Sequence, residues 1–116
     1  MDKHCVYQDY TIKDVVDNLN ANKDRVSIIL NKNNKVVGIV SQGDIISALA
    51  AGNSMFVEVS KIMKTSFLYL KEKNLLKAYE IFKMHQITLL PIVDEDFNLL
   101  DVIGLADIYG YLEGRE

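Results

Sequence analysis

The sequence contains little cysteine and proline, no tryptophan and no long hydrophobic run. Its single cysteine, Cys5, excludes an intramolecular disulfide and suits a reducing cytosol. No apolar stretch approaches the roughly 18 residues needed to cross a membrane, and no signal-peptide segment follows the first residues. We therefore expect a cytoplasmic protein without a membrane partner.

Basic residues are not in excess either. The formal net charge of -3 gives no sign of a nucleic-acid-binding surface. The sequence also lacks a Cys/His cluster for zinc, a Walker loop and an evident nucleophile–base pair. We expect no catalytic residues, no metal and no catalytic cofactor. A small enzyme assembled from distant positions is the least favoured alternative.

The sequence does contain an internal repeat. A shift of 63 residues aligns the two halves without a gap from about Tyr10 to Leu49. Identities are few, but apolar residues fall on apolar residues and Asp44 falls on Asp107. A shared apolar pattern is what a shared fold requires, so the chain is predicted to contain two copies of one structural unit.

Each copy is predicted to fold as βαββα. Apolar residues follow Thr11 at helical spacing, with Thr11 as the N-cap and Asp14 in the first turn. Two short apolar runs around an Asn- or Asp-rich turn predict a hairpin of buried strands. The predicted boundaries are an extended segment at 5–7, strands at 26–30 and 36–40 and a helix at 42–51 in the first copy, and an extended segment at 67–70, strands at 89–93 and 99–103 and a helix at 105–113 in the second.

The expected fold class is α/β, in its α+β form. Neither copy could bury a sheet face alone, so we expect two tandem βαββα repeats packed sheet to sheet with pseudo-two-fold symmetry. Repeat 1 would cover residues 1–51, a linker 52–59 and repeat 2 residues 60–116, together forming one module. Residues 60–64 are predicted to form a short helical turn with Ser60 as its cap.

Two segments carry a resemblance to a known family. They are Gly-Ile-Val-Ser-Gln-Gly-Asp-Ile at 38–45 and the weaker Asp-Val-Ile-Gly-Leu-Ala-Asp-Ile at 101–108, supported by residues 59–64 and 90–94. Together with the repeat, they resemble the CBS-domain family, and specifically a tandem CBS pair, or Bateman module. The sequence is similar to the CBS pairs associated with sugar-nucleotide nucleotidyltransferases.

This resemblance implies a regulatory role. CBS pairs bind adenosine ligands such as AMP, ADP, ATP or S-adenosylmethionine, and the bound ligand modulates an attached or partner enzyme. The resemblance also implies a homodimer formed through the CBS modules and, as a possible partner, a nucleotidyltransferase domain or protein. The alternative is a dimerisation or assembly module with vestigial ligand clefts.

The matching positions imply a first ligand site. The Ser41 hydroxyl could donate to a phosphate at the positive N-terminus of a helix, and the Asp44 carboxylate could accept from ribose hydroxyls. The same Ser-x-x-Asp pattern also forms a capping box, so a purely structural role for Ser41 stays open. The implied first-site residues are Ser41, Gln42, Gly43, Asp44, Tyr10, Val26, Ser27 and Ile28.

The second copy departs from the motif. It keeps Asp107, but Gly104 replaces the hydroxyl residue and Asp101 replaces the glycine that opens the motif. A carboxylate near a phosphate site would repel the phosphate unless a cation intervenes. The second cleft is therefore expected to take a nucleoside-like ligand or none. Its implied residues are Asp107, Thr88, Leu90, Pro91 and Ile92.

Overall fold

The computed structural model describes residues 2–114, which divide into two compact units, one ending at Phe67 and the other beginning at Leu68. Each unit contains two α-helices and one sheet, so the predicted mixed α+β class is confirmed. The helices are α1 (Ile12–Ala21), α2 (Gln42–Ala50), α3 (Leu75–His85) and α4 (Leu105–Leu112); the strands are β1 (Cys5–Tyr7), β2 (Val26–Leu30), β3 (Val36–Ser41), β4 (Leu89–Val93) and β5 (Leu99–Gly104).

The first unit has the predicted βαββα order. Strand β1 pairs in parallel with β2, and β2 pairs antiparallel with β3, so β2 is the central strand. Both helices contribute to the apolar cluster that also contains strand residues. The buried members of this cluster are Val6, Ile12, Val15, Leu19, Ile29, Val40, Ile45, Ala48 and Val59.

Helix α1 begins at the predicted cap. The Thr11 hydroxyl accepts from the Asp14 N–H at 3.3 Å, and the Asp14 carboxylate accepts from the Thr11 N–H at 2.9 Å. This reciprocal pair is a capping box, which satisfies two donors that a helix N-terminus leaves unpaired. The hydrogen bonds from the backbone and then the hydroxyl of Thr11 lower the pKa of Asp14.

The second unit repeats this order with a smaller sheet. Strands β4 and β5 pair antiparallel. The extended segment predicted at 67–70 makes only one parallel bridge, between Leu70 and Ile92. It rests on two hydrogen bonds, from the Leu70 N–H to the Pro91 carbonyl at 3.0 Å and from the Val93 N–H to the Leu70 carbonyl at 2.9 Å.

Proline explains the shorter sheet. In the first unit the Ile28 N–H donates to the His4 carbonyl at 2.7 Å and extends the pairing of β1 with β2. Pro91 lies 63 residues after Ile28 and has no N–H to donate. The equivalent hydrogen bond therefore cannot form, and the pairing stops at Leu70.

Residues 54–64, called here the connecting segment, pack on the first unit. The Lys13 N–H donates to the Met55 carbonyl and the Ile12 N–H to the Val57 carbonyl, both at 2.9 Å. Val59 is fully buried in the apolar cluster of that unit. The connecting segment thus completes the environment of the N-terminus of α1.

The predicted cap in this segment is wrong. A 3-10 turn covers Val59–Lys61, its N-cap is Glu58, and no side chain caps it. The turn begins one residue before the predicted start because burial of Val59 positions the chain. Ser60 instead donates its backbone N–H to the Gln8 carbonyl at 3.1 Å.

Candidate functional site

The N-terminus of α2 brings several residues of the first predicted site together. Ser41 is the last residue of β3 and also the N-cap of α2. Its Oγ accepts from the Asp44 N–H at 3.3 Å, and Asp44 Oδ2 accepts from the Ser41 N–H at 2.9 Å. These bonds form a capping box, so the structural role left open for Ser41 is confirmed.

The capping box leaves chemical capacity at both residues. The Ser41 hydroxyl acts as an acceptor in the box, and a hydroxyl also carries a hydrogen that it can donate. Asp44 Oδ1 takes no part in the box and lies 4.0 Å from Lys64 Nζ. The helix N-terminus adds a partial positive charge. The site therefore offers a donor, an acceptor and a field that favours an anion.

Gln42 and Gly43 form the exposed start of α2. The Gln42 N–H donates to the Arg25 carbonyl at 3.2 Å, and Arg25 Nη1 donates to Gln42 Oε1 at 3.5 Å. A Cβ added to Gly43 would meet only Ser41 Oγ among the described atoms within 4 Å, at 3.8 Å. The space in front of this turn is open enough for a ligand to approach.

Strand β2 places Val26 beside Ser41. These two residues are Cα partners in the antiparallel pairing of β2 with β3. Ser27 is fully buried and its hydroxyl donates to Asn18 Oδ1 at 2.6 Å, while the Ile28 side chain is also fully buried. A ligand at this end of the strand would contact Val26 directly, and the Ser27 and Ile28 side chains are occupied by packing.

The first unit does not bring Tyr10 to this site. Tyr7 pairs with Leu30, and the Tyr10 N–H donates to the Tyr7 carbonyl at 3.0 Å. Val26 lies at the other end of β2, four residues or about 13 Å from Leu30 at the usual rise of a strand. Tyr10 is 47% exposed, so its ring is accessible, but it does not share a pocket with Ser41 within this unit.

The second unit has a similar arrangement without the hydroxyl. Asp107 accepts from the Gly104 N–H at 2.9 Å, as Asp44 does from Ser41. Leu89 is the Cα partner of Gly104 and thus occupies the place of Val26. The sequence interpretation missed Leu89, although the shift of 63 residues aligns it with Val26.

The other residues predicted for the second site differ in burial. Thr88 precedes β4 and is half-buried. Leu90 and Ile92 belong to the apolar cluster of the second unit, and Pro91 is fully buried. Their side chains therefore contribute to the core, which leaves Asp107 and Thr88 as the accessible polar groups of the prediction.

The change from Gly38 to Asp101 in the motif has a packing explanation. A Cβ at Gly38 would lie 2.8 Å from Met63 Sδ and 2.9 Å from the Lys64 carbonyl oxygen, since the connecting segment crosses β3 there. Asp101 is exposed, and its carboxylate accepts from the Val102 N–H at 2.8 Å. It lies three residues before Gly104 on β5, or about 10 Å along the strand.

Two further chemical features were searched for in residues 2–114. That part of the chain contains no group of three or more His, Cys, Asp or Glu residues that could hold a metal ion. None of its helices combines the length and apolar character that a membrane crossing requires.

The family match agrees with the internal repeat. The family described as "CBS domain" matches residues 1–51 and again residues 59–114. The chain belongs to the CBS-domain family. The tandem arrangement expected from the sequence is therefore confirmed.

Curated relatives of this CBS pair are longer proteins. An uncharacterized protein of Helicobacter pylori strain J99 is 33% identical over 105 residues, which cover 84% of this chain and 30% of the relative. The uncharacterized protein MJ1404 of Methanocaldococcus jannaschii is 29% identical over 107 residues, covering 90% and 25% respectively. The chain thus spans less than a third of the length of these relatives.

Solved structures show the same fold. A protein described as a candidate acetoin utilization protein, AcuB, from Vibrio cholerae has a TM-score of 0.83 and 25% identity, covering 96% of this chain and 83% of that one. MJ1225 of M. jannaschii, described as a candidate archaeal homologue of g-AMPK, has a TM-score of 0.82 and 27% identity, covering 96% and 46%. The CBS domain protein PAE2072 of Pyrobaculum aerophilum, complexed with AMP, has a TM-score of 0.76 and 20% identity, covering 95% and 90%.

Two cations near α2 of this CBS pair were missed by the sequence interpretation. Lys64 and Arg25 reach Asp44 and Gln42 from two separate segments of the chain. No local spacing connects either cation with the Ser-x-x-Asp motif, so neither could be found from the motif alone.

Proposed function

We propose that this CBS pair is a regulatory module that binds an adenine nucleotide at the N-terminus of α2. The observation that carries the proposal is the placement of Ser41 and Asp44 beside Val26 in an open helix N-terminus. Asp44 would accept hydrogen bonds from the ribose hydroxyls, and Ser41 would donate to a phosphate oxygen. The AMP complex of the similar PAE2072 structure supports this choice of ligand class.

The proposed ligand is AMP, ADP, ATP or S-adenosylmethionine. We place the principal site at Ser41, Gln42, Gly43, Asp44 and Val26, with the backbone of Ser27 and Ile28 beneath it. The second copy, with Asp107 and no hydroxyl at Gly104, would take a nucleoside-like ligand or none. Tyr10, Thr88, Leu90, Pro91 and Ile92 stay proposed contacts whose partners lie outside the principal site.

The proposed role is control of another protein rather than catalysis. A ligand can shift a regulated partner only if it binds two states of the module with different affinities. An attached or partner enzyme, such as a nucleotidyltransferase, would supply the regulated activity. We propose a cytoplasmic location and a homodimer formed through the CBS modules.

A thermal-shift experiment with matched variants tests the proposal. The purified chain is heated with adenosine, AMP, ADP, ATP and S-adenosylmethionine. A ligand at 100 times its Kd stabilises the folded state by about 2.7 kcal/mol, which raises Tm by several degrees in a domain of this size. Asp44→Ala should abolish the shift.

Asp14→Ala is the matched control. It removes the carboxylate of an equivalent capping box on α1, away from the proposed ligand. Both substitutions should lower the unfolding free energy by about 1 kcal/mol through loss of the cap. Only Asp44→Ala should remove the ligand shift, and equal shifts in both variants would disprove the site.

Assembly is the second candidate function, and a specific feature favours it. Helices α2 and α4 expose apolar side chains at repeat-equivalent positions, with Ile46 60% and Tyr109 56% exposed. Leu49 and Leu112 are exposed one turn further along each helix. Exposed apolar surface of this kind marks an interaction site. A module without any ligand shift would be assigned to assembly.

A further inference from the structure

We propose that Lys64 makes this site selective for phosphorylated ligands over the free nucleoside. The inference rests on the proposed function, since it concerns the ligand bound at Ser41 and Asp44. Lys64 belongs to the connecting segment and lies outside the Ser-x-x-Asp motif. It would contact the phosphate, while Asp44 accepts from the ribose.

The backbone of Lys64 is held next to the site. Its N–H donates to the Ile39 carbonyl at 2.9 Å, and its carbonyl accepts from the Ile39 N–H at 3.0 Å. Ile39 lies two residues before Ser41 on β3. The neighbouring Met63 packs closely against Gly38, where a side chain would not fit. The Cα of Lys64 is therefore fixed relative to the N-terminus of α2.

The side chain of Lys64 is free to adjust. It is 64% exposed, and its Nζ is 4.0 Å from Asp44 Oδ1, which is beyond hydrogen-bond distance. An exposed ion pair of this length contributes little to stability. A flexible four-carbon stem carrying a point charge can move from the carboxylate to a phosphate oxygen without breaking the fold.

The charge balance of the site requires such a cation. The Asp44 carboxylate would repel a phosphate bound close to it, and that repulsion is offset when a cation lies between the two anions. Lys64 is within reach of Asp44, and the Arg25 guanidinium adds positive charge at Gln42. Asp44 can then bind the neutral ribose while the phosphate lies against Lys64 and the start of α2.

The second copy provides an internal contrast. Asp107 has the same backbone hydrogen bond as Asp44, but within residues 2–114 no ion pair joins it to a Lys, Arg or His. The second copy also lacks the hydroxyl at Gly104. Both differences place the phosphate-selective site in the first copy.

Isothermal titration of the full chain with adenosine, AMP and inorganic phosphate tests Lys64. Lys64→Gln should weaken AMP binding about tenfold and leave adenosine binding within about twofold, since only AMP carries the phosphate. The salt dependence of AMP binding should also become less steep. Lys61→Gln is the control, because Lys61 is an exposed lysine of the same segment, and it should change neither affinity.

The outcomes separate the two proposals. An equal loss of adenosine and AMP affinity in Lys64→Gln, or no loss of either, would overturn the role of Lys64 while nucleotide binding stands. A wild-type chain that binds inorganic phosphate as tightly as AMP, and loses both in Lys64→Gln, would retain the phosphate contact but refute nucleotide recognition. A wild-type chain that binds none of the three would refute the proposed function and this inference with it.

Discussion

At the scale of single residues, burial determines the chemistry of Cys5. The thiol is 5% exposed and belongs to the central region of the first unit's sheet. Burial, followed by the negative charge of Asp2, raises the pKa of Cys5 from 9.0 to about 12. Only the thiolate is a strong nucleophile, so this cysteine is chemically inert near neutral pH.

The raised pKa of Cys5 predicts a loss of stability in alkali. Below pH 9 the thiol is protonated in both the folded and the unfolded chain. Between pH 9 and 12 the unfolded chain loses this proton and the folded chain keeps it, so the free energy of unfolding falls as pH rises.

Urea unfolding at a series of pH values measures this effect. Wild-type protein should lose stability relative to Cys5→Ala across that window, and native protein at pH 8 should resist thiol reagents. A constant difference between the two proteins from pH 8 to 11 would contradict the prediction.

At the scale of elements, the connecting segment explains the first glycine of the motif. Strand β3 accepts the segment as a neighbour through the pairing of Ile39 with Lys64. This approach leaves no space for a Cβ at Gly38. The same glycine could be read from the sequence only as part of a motif, because the segment that crosses it lies more than 20 residues away.

Gly38→Ala should therefore be more harmful than Gly43→Ala. A Cβ at position 38 would force Met63 and the Lys64 backbone away, and such overpacking costs about 1–3 kcal/mol. A Cβ at position 43 has room and replaces a poor helix former, so the free energy of unfolding should stay unchanged or rise by up to about 1 kcal/mol.

Urea unfolding of the two glycine variants gives the comparison directly. Equal stabilities would show that the connecting segment does not pack tightly on β3. Gly43→Ala should in addition weaken AMP binding, because its methyl group projects into the open space in front of α2.

At the scale of the whole molecule, the chain consists of two compact units with separate apolar clusters. The family match begins its second copy at residue 59, while the first compact unit extends to Phe67. The connecting segment therefore contributes to the core of one unit although its sequence opens the next copy.

The exposed faces of α2 and α4 predict a dimer in solution. Ile46→Lys and Tyr109→Lys each place a charge on an apolar face, and the cost of desolvating that charge should weaken association at least tenfold. Leu76→Lys on α3, where Leu76 is 53% exposed, is a control that should leave association unchanged.

Sedimentation equilibrium of the wild type and the three variants checks this. A monomeric wild type at micromolar concentration, or three variants that all associate like the wild type, would refute the predicted interface. A loss confined to Leu76→Lys would place the interface on α3 instead.

The sequence by itself determined the order of the helices and strands, the caps at Thr11 and Ser41, and the repeat. These features follow from apolar periodicity and from side chains that bond to their own backbone three residues away, so neighbours along the chain suffice.

Only the tertiary structure decided which distant residues meet at Asp44. The approach of Lys64, the separation of Tyr10 from Ser41 and the single bridge at Leu70 depend on strand register, on where the connecting segment returns to β3 and on the missing N–H of Pro91. Such contacts join residues far apart in the chain, and no local pattern records them.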